Sequence, residues 1–207
     1  MIVIISVLTA FAYTNSENAI RSATQMGMKN TAGVIATQIN ASEIAGFKPG
    51  DETSPEYVAV ARKLRTMRSM NDYILNAYIL KVNPDGTITF LVDDLYPYDP
   101  QGSAKIGEVS TAPDSLEILG ALSGPTASKA PYTTKYGSFM SAYAPIDNSA
   151  TDSSGDTYAV LAIDITARDY IDSTSQGILI ILTGIISMIL AVGAILYFGT
   201  KSCRNEN

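Results

Sequence analysis

The chain has 207 residues, with 14 Lys and Arg against 20 Asp and Glu, no histidine, no tryptophan and a single cysteine, Cys203. A net charge of −6 argues against nucleic acid, which favours a basic face. With no His in the chain and no Cys between residues 14 and 176, disulfides, zinc or copper centres, His- or Cys-ligated haem, Cys nucleophiles and Ser-His-Asp triads are excluded. No catalytic residue, cofactor or metal site is expected.

Met1 to Tyr13 carries no charge but is too short to cross a bilayer as a helix. Two readings fit it. One is a signal-peptide core, with Ala10-Phe11-Ala12 as a cleavage site but no basic leader. The other is the outer half of a first transmembrane helix, favoured because a polar helix continues from it without a break. From Ser16 to about Gln38 there is no proline. Ile20, Ala23, Met26 or Gly27, Val34 and Ile35 recur at helical spacing, which predicts a long amphipathic helix with that stripe inward. Asn40-Ala41-Ser42 is either a glycosylation sequon or a helix end.

After the loop Gly46 to Asp51, Ser54-Pro55-Glu56 opens a second helix: Ser as N-cap, Pro in the first turn, Glu beside it. Its inner stripe is Tyr57, Val60, Ala61, Leu64 and Met67, and Arg62, Lys63, Arg65 and Arg68 read most simply as a solvated face. The period then becomes alternating. Ala77 to Val82, the turn Asn83-Pro84-Asp85-Gly86 and Thr87 to Asp93 predict a β-hairpin. An irregular stretch follows from Asp94 to about Pro113, then a short helix around 115–122. Ser138 to Ile146 and Tyr158 to Ile165 read as two central antiparallel strands, and a short helix over 166–174 ends the body. The order predicts an α+β domain with one antiparallel sheet and helices on one face.

Gly177 to Gly199 is twenty-three positions without a charge, followed by Lys201 and Arg204. As a helix it reaches roughly 34 Å, enough to span the hydrocarbon core. The basic residues beyond it predict a cytoplasmic C-terminus. The expected organisation is therefore a partial transmembrane segment over 1–13, an extracytoplasmic domain over 14–176, a transmembrane helix over 177–199 and a cytoplasmic stub over 200–207. Cys203 at the inner end of that helix is most simply unmodified. Of all the charged residues only Lys201, Arg204 and Glu206 lie outside 14–176, so the domain itself is acidic.

The segments GFKPGDETSPEY, NAYILKVNPDGTITFLVDD, KYGSFMSAYAPI and YAVLAIDI, in that order, resemble the extracytoplasmic PAS-like sensor domains called Cache domains. These belong to membrane-bound histidine kinases and chemoreceptors. The resemblance covers about 16–172 and rests on the order of elements more than on any one motif. It implies a single PAS-like central antiparallel sheet with a long N-terminal helix packed on it, flanked by transmembrane helices. It further implies a small-molecule ligand held on the other sheet face under the loops, and a homodimer formed through the N-terminal helix. The Arg-Trp-Tyr signature of amino-acid-binding double-Cache members is missing, so an amino-acid ligand is not implied.

Seven side chains are candidates for that ligand site: Tyr78, Asp93, Tyr98, Tyr136, Ser141, Tyr143 and Asp164. Ser141 and Tyr143 share one strand face at period two. Asp164 interrupts an apolar strand, where a carboxylate is costly to bury unless it is hydrogen-bonded or paired. The plainer account is a strand-end carboxylate accepting bonds from backbone or Arg168. The sharper one has Asp93 or Asp164 engaging a cationic or hydroxylated ligand between tyrosine walls. Two acidic clusters, Asp93-Asp94-Asp99 and Asp147-Asp152-Asp156, lack the spacing of a calcium loop and read as solvated turns. The function expected is a ligand-sensing domain of a membrane receptor, not an enzyme. Its rivals are a solute-capture protein without signalling and a structural surface protein.

Overall fold

The computed structural model describes residues 2–146, 159–168, 179, 182–190 and 192–193. The chain divides into two compact units, Thr24–Tyr170 and the combination of Met1–Ala23 with Ile171–Asn207. In the second of these the described residues are helical. Among the described residues, no helix is long and apolar enough to cross a membrane. Of the expected run over 177–199 the described residues are 179, 182–190 and 192–193, and of the short helix over 166–174 they are 166–168; the rest of both lies outside the described residues.

Helix α1 (Ile2–Ala36) is unbroken, as the absence of proline allows. Its buried stripe differs from the expected one. Met28, Ala32, Ile35 and Ala36 face the core, followed by Ile39 just past the helix, whereas Met26 and Val34 are exposed. Ala19, Ala23 and Gly27 are also exposed. The buried set has steps of four, three, one and three, the ordinary helical stripe; Ile35 belongs to both readings. Two stripes run along this helix, and apolarity alone does not say which one faces the sheet. Asn40 resolves as a helix cap, its side chain accepting from the Ser42 amide at the start of α2 (Ala41–Ile44).

Helix α3 (Pro55–Arg68) starts as the sequence predicts, with Ser54 Oγ accepting the Tyr57 amide at 3.2 Å. Tyr57, Val60, Ala61 and Leu64 are buried, and Met67 packs against them partly exposed. Val60 and Leu64 each contribute roughly 2 kcal/mol by leaving water. The basic face is less solvated than expected. Arg68 Nε bonds the fully buried Asp94 at 2.5 Å.

The sheet contains β1 (Asn76–Val82), β2 (Ile88–Asp93), β3 (Thr126–Ala127), β4 (Tyr132–Thr134), β5 (Gly137–Pro145) and β6 (Ala159–Thr166). Its order is β2-β1-β6-β5-β3, with β4 also on β5, and every pairing is antiparallel. The Asn83–Gly86 turn forms as read, with Gly86 at φ 84° where a side chain is disfavoured. Helix α4 (Ser115–Gly120) lies between the loop and β3. The short β3 and β4 have no counterpart in the sequence reading.

Strand alternation sorts the sheet into two faces. Ala77, Ile79, Met140, Ala142, Ala144, Leu161, Ile163 and Ile165 join the helices in the main core. Tyr78, Leu80, Tyr143, Val160 and Ala162 form a second cluster on the opposite face, with Phe90 against it. The 94–113 loop doubles back along the edge of β2. Phe90 N–H donates to Glu108 O at 2.8 Å, Gly107 N–H to Phe90 O at 2.8 Å and Ser110 N–H to Ile88 O at 2.9 Å. The loop thereby occupies a strand edge that would otherwise be open to pairing.

Candidate functional site

The register places two rows of side chains across the sheet face opposite the helices. Asn76 stands beside Asp164, and Asp164 beside Ser141; one step along, Tyr78 stands beside Ala162, and Ala162 beside Tyr143. The alanine is the small residue between two tyrosines. Over this face lies a cavity of about 160 Å³, whose polar lining includes Asn76, Tyr78, Asp93, Tyr132, Tyr136 and Asp164. Leu75, Phe90, Leu95, Val109 and Phe139 supply apolar wall. A partly apolar concavity with a few convergent polar groups is the usual form of a small-molecule site.

Asp164 is 3% exposed. Its Oδ1 accepts Ser141 Oγ at 2.5 Å and Tyr78 Oη at 3.1 Å, and its Oδ2 accepts Asn76 Nδ2 at a longer 3.4 Å. Burial pushes the carboxyl up to about 7, against the hydrogen bonds that favour its ionised form. Ser141 Oγ in turn lies 2.6 Å from Tyr132 Oη, which lies 3.2 Å from Tyr143 Oη. Tyr143 donates to Asp114 Oδ2 at 2.5 Å, and Ser128 Oγ donates to the same oxygen at 2.7 Å. Burial raises the phenols of Tyr78, Tyr132 and Tyr143 well above their ordinary value, so all three are neutral hydroxyls. Tyr78, Phe90 and Tyr136 form a run of rings, with centroids 5.4 and 6.1 Å apart.

Tyr78, Asp93, Tyr136 and Asp164 line the cavity, and Ser141 and Tyr143 lie within its hydrogen-bonded floor. Tyr98 does not join them. It is 53% exposed and stacks under the Arg65 guanidinium, 4.1 Å from its ring centre. Asp93 holds the backbone together, because its Oδ1 accepts the Leu95 amide and its Oδ2 the Ala104 amide, both at 2.9 Å, which pins the loop roof. Burial raises its carboxyl to about 6. Asp94 takes Arg68 and the Ala77 amide. Asp99 accepts the Gly102 amide at 3.1 Å, so all three carboxylates of the first acidic cluster meet the protein's own donors; the second cluster, Asp147, Asp152 and Asp156, lies outside the described residues. Tyr136 donates to Glu108, which Lys135 Nζ also meets at 3.0 Å. Burial and the Glu108 hydrogen bond lift that phenol to about 12.

Sequence reasoning missed Asn76, Asp114, Ser128 and Tyr132. Asn76 was legible in principle, two positions before Tyr78 on one strand and so on the same face. Tyr132 was not, because three-residue β4 carries no readable period.

No protein-family model matches the chain, and no curated protein matches it. Among solved structures it is similar to the sensory domain of the Campylobacter jejuni chemoreceptor Tlp3 with isoleucine bound, at 17% identity and a TM-score of 0.43. That match covers 80% of this chain and 60% of the other. It is similar to the Escherichia coli DcuS sensor domain at 15% identity and 0.49, covering 76% and 98% respectively. It is also similar to the periplasmic domain of RsbU from Chlamydia trachomatis, at 10% and 0.42, covering 80% and 56%. The chain therefore spans about 60% of the length of the first of these. All three are described as sensory, sensor or periplasmic domains.

Proposed function

We propose that this chain is the extracytoplasmic ligand-sensing part of a membrane receptor of the histidine-kinase or chemoreceptor type, with a PAS-like Cache domain between two membrane segments. The observation that carries this reading is the cavity over the sheet face opposite the helices, roofed by the 94–113 loop and floored by Tyr78, Tyr132 and Asp164. The uncharged 177–199 run with Lys201 and Arg204 beyond it supports a cytoplasmic C-terminus. Binding would act by preference for one arrangement of loop, sheet and helix. Strand β6 ends at Thr166, close in sequence to that run, so a shift of the sheet has a short path to the membrane.

We further propose a homodimer through α1, supported by the exposed small-residue stripe Ala19, Ala23 and Gly27 beside exposed Met26 and Val34. Ala23→Cys in a Cys203→Ser background should cross-link two chains under mild oxidation; recovery of monomer alone would rule the dimer out.

The central test is a thermal-shift screen of the full chain in lipid nanodiscs against organic acids, amines and sugars. A stabilising compound whose affinity drops at least about tenfold in Asp164→Asn and Tyr143→Ala is expected, the scale of one lost buried polar contact. No stabilising compound in any class would leave the structural-surface reading in its place. A binder indifferent to both substitutions would move the site elsewhere.

A further inference from the structure

Counting protons along the hydroxyl chain beneath the cavity specifies what its ligand has to bring. Ser141 and Tyr78 each donate to Asp164, so Ser141 has no proton left and must accept from Tyr132. Tyr143 and Ser128 donate to Asp114. When Asp164 is ionised, the contact between Tyr132 and Tyr143 is left with no proton to share, and the hydroxyl protons point outward from it to the two buried carboxyl groups. Asp114 is 6% exposed and its Oδ1 has no hydrogen-bond partner.

Two buried carboxyl groups this close either keep a proton or come with a cation, because an unpaired buried charge is strongly unfavourable. Among the described residues no such cation is supplied. The titratable groups facing Asp164 are Tyr78 on β1, Asp93 at the end of β2, Tyr132 on β4, Tyr143 on β5 and Asp114 before α4. None is basic, and no Lys or Arg lines the cavity among the described residues. Lys135, just outside, is engaged by Glu108 and the Tyr136 ring. The rings of Tyr78, Phe90 and Tyr136 add a π-surface of the kind that attracts organic cations.

Resting on the sensing reading above, we infer that the cavity takes a small protonated amine with an apolar body and no carboxylate, its ammonium group meeting Asp164 and Asn76. Asp164 Oδ2, with only the long Asn76 contact, has acceptor capacity to spare. A ligand carboxylate would enter an acidic, base-free cavity and find no partner, which separates this ligand class from free amino acids and dicarboxylates. Protonation of Asp164 competes with the ammonium, so binding tightens as pH rises through neutrality.

The experiment is calorimetric titration of the full chain in nanodiscs with isopentylamine, isopentanol and leucine, three molecules sharing one hydrocarbon body. The amine should bind at least about tenfold tighter than either of the others, since only it supplies the missing charge without adding an unpaired one. Its affinity should rise about tenfold between about pH 6 and about pH 8, following ionisation of a carboxyl near neutrality. Asp164→Asn should remove both the preference and the pH dependence. The wild-type pH profile decides the matter by itself if that variant fails to fold. Leucine or isopentanol binding as tightly as the amine would overturn the inference while leaving a ligand-binding domain intact. A pH-independent amine affinity, or one unchanged in Asp164→Asn, would overturn it as well. If all three fail along with the ethyl-to-octyl amine series, the amine class falls, and an empty general screen would then take the sensing reading with it.

Discussion

At the scale of single residues, buried carboxyls divide into those the protein satisfies and those it leaves demanding. Asp94 is satisfied: Arg68 and the Ala77 amide hold it although it is fully buried and burial raises its carboxyl. Arg68→Ala would strand that charge, and a loss of about 3–5 kcal/mol is expected from chemical denaturation; a loss below about 1 kcal/mol would mean that the pair is dispensable. Asp164 is the demanding one. Its carboxyl rises from 3.8 to about 7 on folding, so the folded chain holds the proton more tightly than the unfolded chain. Stability from this group is full at low pH, falls as pH climbs through that window and is flat above it. The slope is at most about 1.4 kcal/mol per pH unit. Asp164→Asn should flatten its part of the profile, leaving the contribution of Asp93, which burial raises to about 6 and which therefore ends at lower pH. An unchanged slope in thermal melts across the range would show that Asp164 is solvated in the folded chain. Asp164 stood out as a carboxylate in an apolar strand, and period-two reasoning put Ser141 and Tyr143 on one face because a regular strand fixes which side chains share it. Tyr98 escaped it because an irregular loop has no period, and its ring turned outward to Arg65.

At the scale of elements, the regular ones were legible and the short ones were not. Helix α3 was readable to its first residue because Ser54 and Pro55 mark its start chemically. Ser54→Ala should cost about 1 kcal/mol, read from the denaturation midpoint; no change would mean that another acceptor takes the Tyr57 amide. Strand β5 begins at Gly137, with φ 138°, where a Cβ would lie 2.7 Å from the Phe139 ring. Gly137→Ala should therefore cost more than about 1 kcal/mol and disturb the β4–β5 turn, where Tyr132 is anchored opposite Phe139. Wild-type stability in this variant would show that the turn relaxes without strain. Helix α1 behaves differently. Two apolar stripes were written on it, and only tertiary packing chose Met28, Ala32 and Ile35 over Met26 and Val34. The dimer surface proposed for this helix would account for the second stripe, because two contact surfaces on one helix are both selected to be apolar.

At the scale of the whole molecule, the two sheet faces carry different loads. One builds the core with the helices, and the other presents polar rows to the cavity. The 94–113 loop joins the two sides. Glu52, beside α3, accepts the Ile106 amide at 3.1 Å, and the Tyr57 hydroxyl, from the core helix, accepts the Asp93 amide at 3.0 Å. A stabilising compound should slow amide exchange in residues 94–113 and β4 first, with protection spreading to the start of α3. Protection confined to α1 would place binding on the other face.

The alternation that divides the sheet also bears on how such a domain can change over time. Along β5 and β6, every second residue belongs to the core and every other one to the cavity side, so on the proposed sensing reading point substitutions at Ser141, Tyr143, Ala162 or Asp164 would alter recognition while the helix-packed residues stay in place. Inserting or deleting one residue in either strand exchanges the two sets and loses both at once. A lineage built on this sheet can explore new chemical signals one side chain at a time, and its strand lengths should stay fixed while the letters facing the cavity drift.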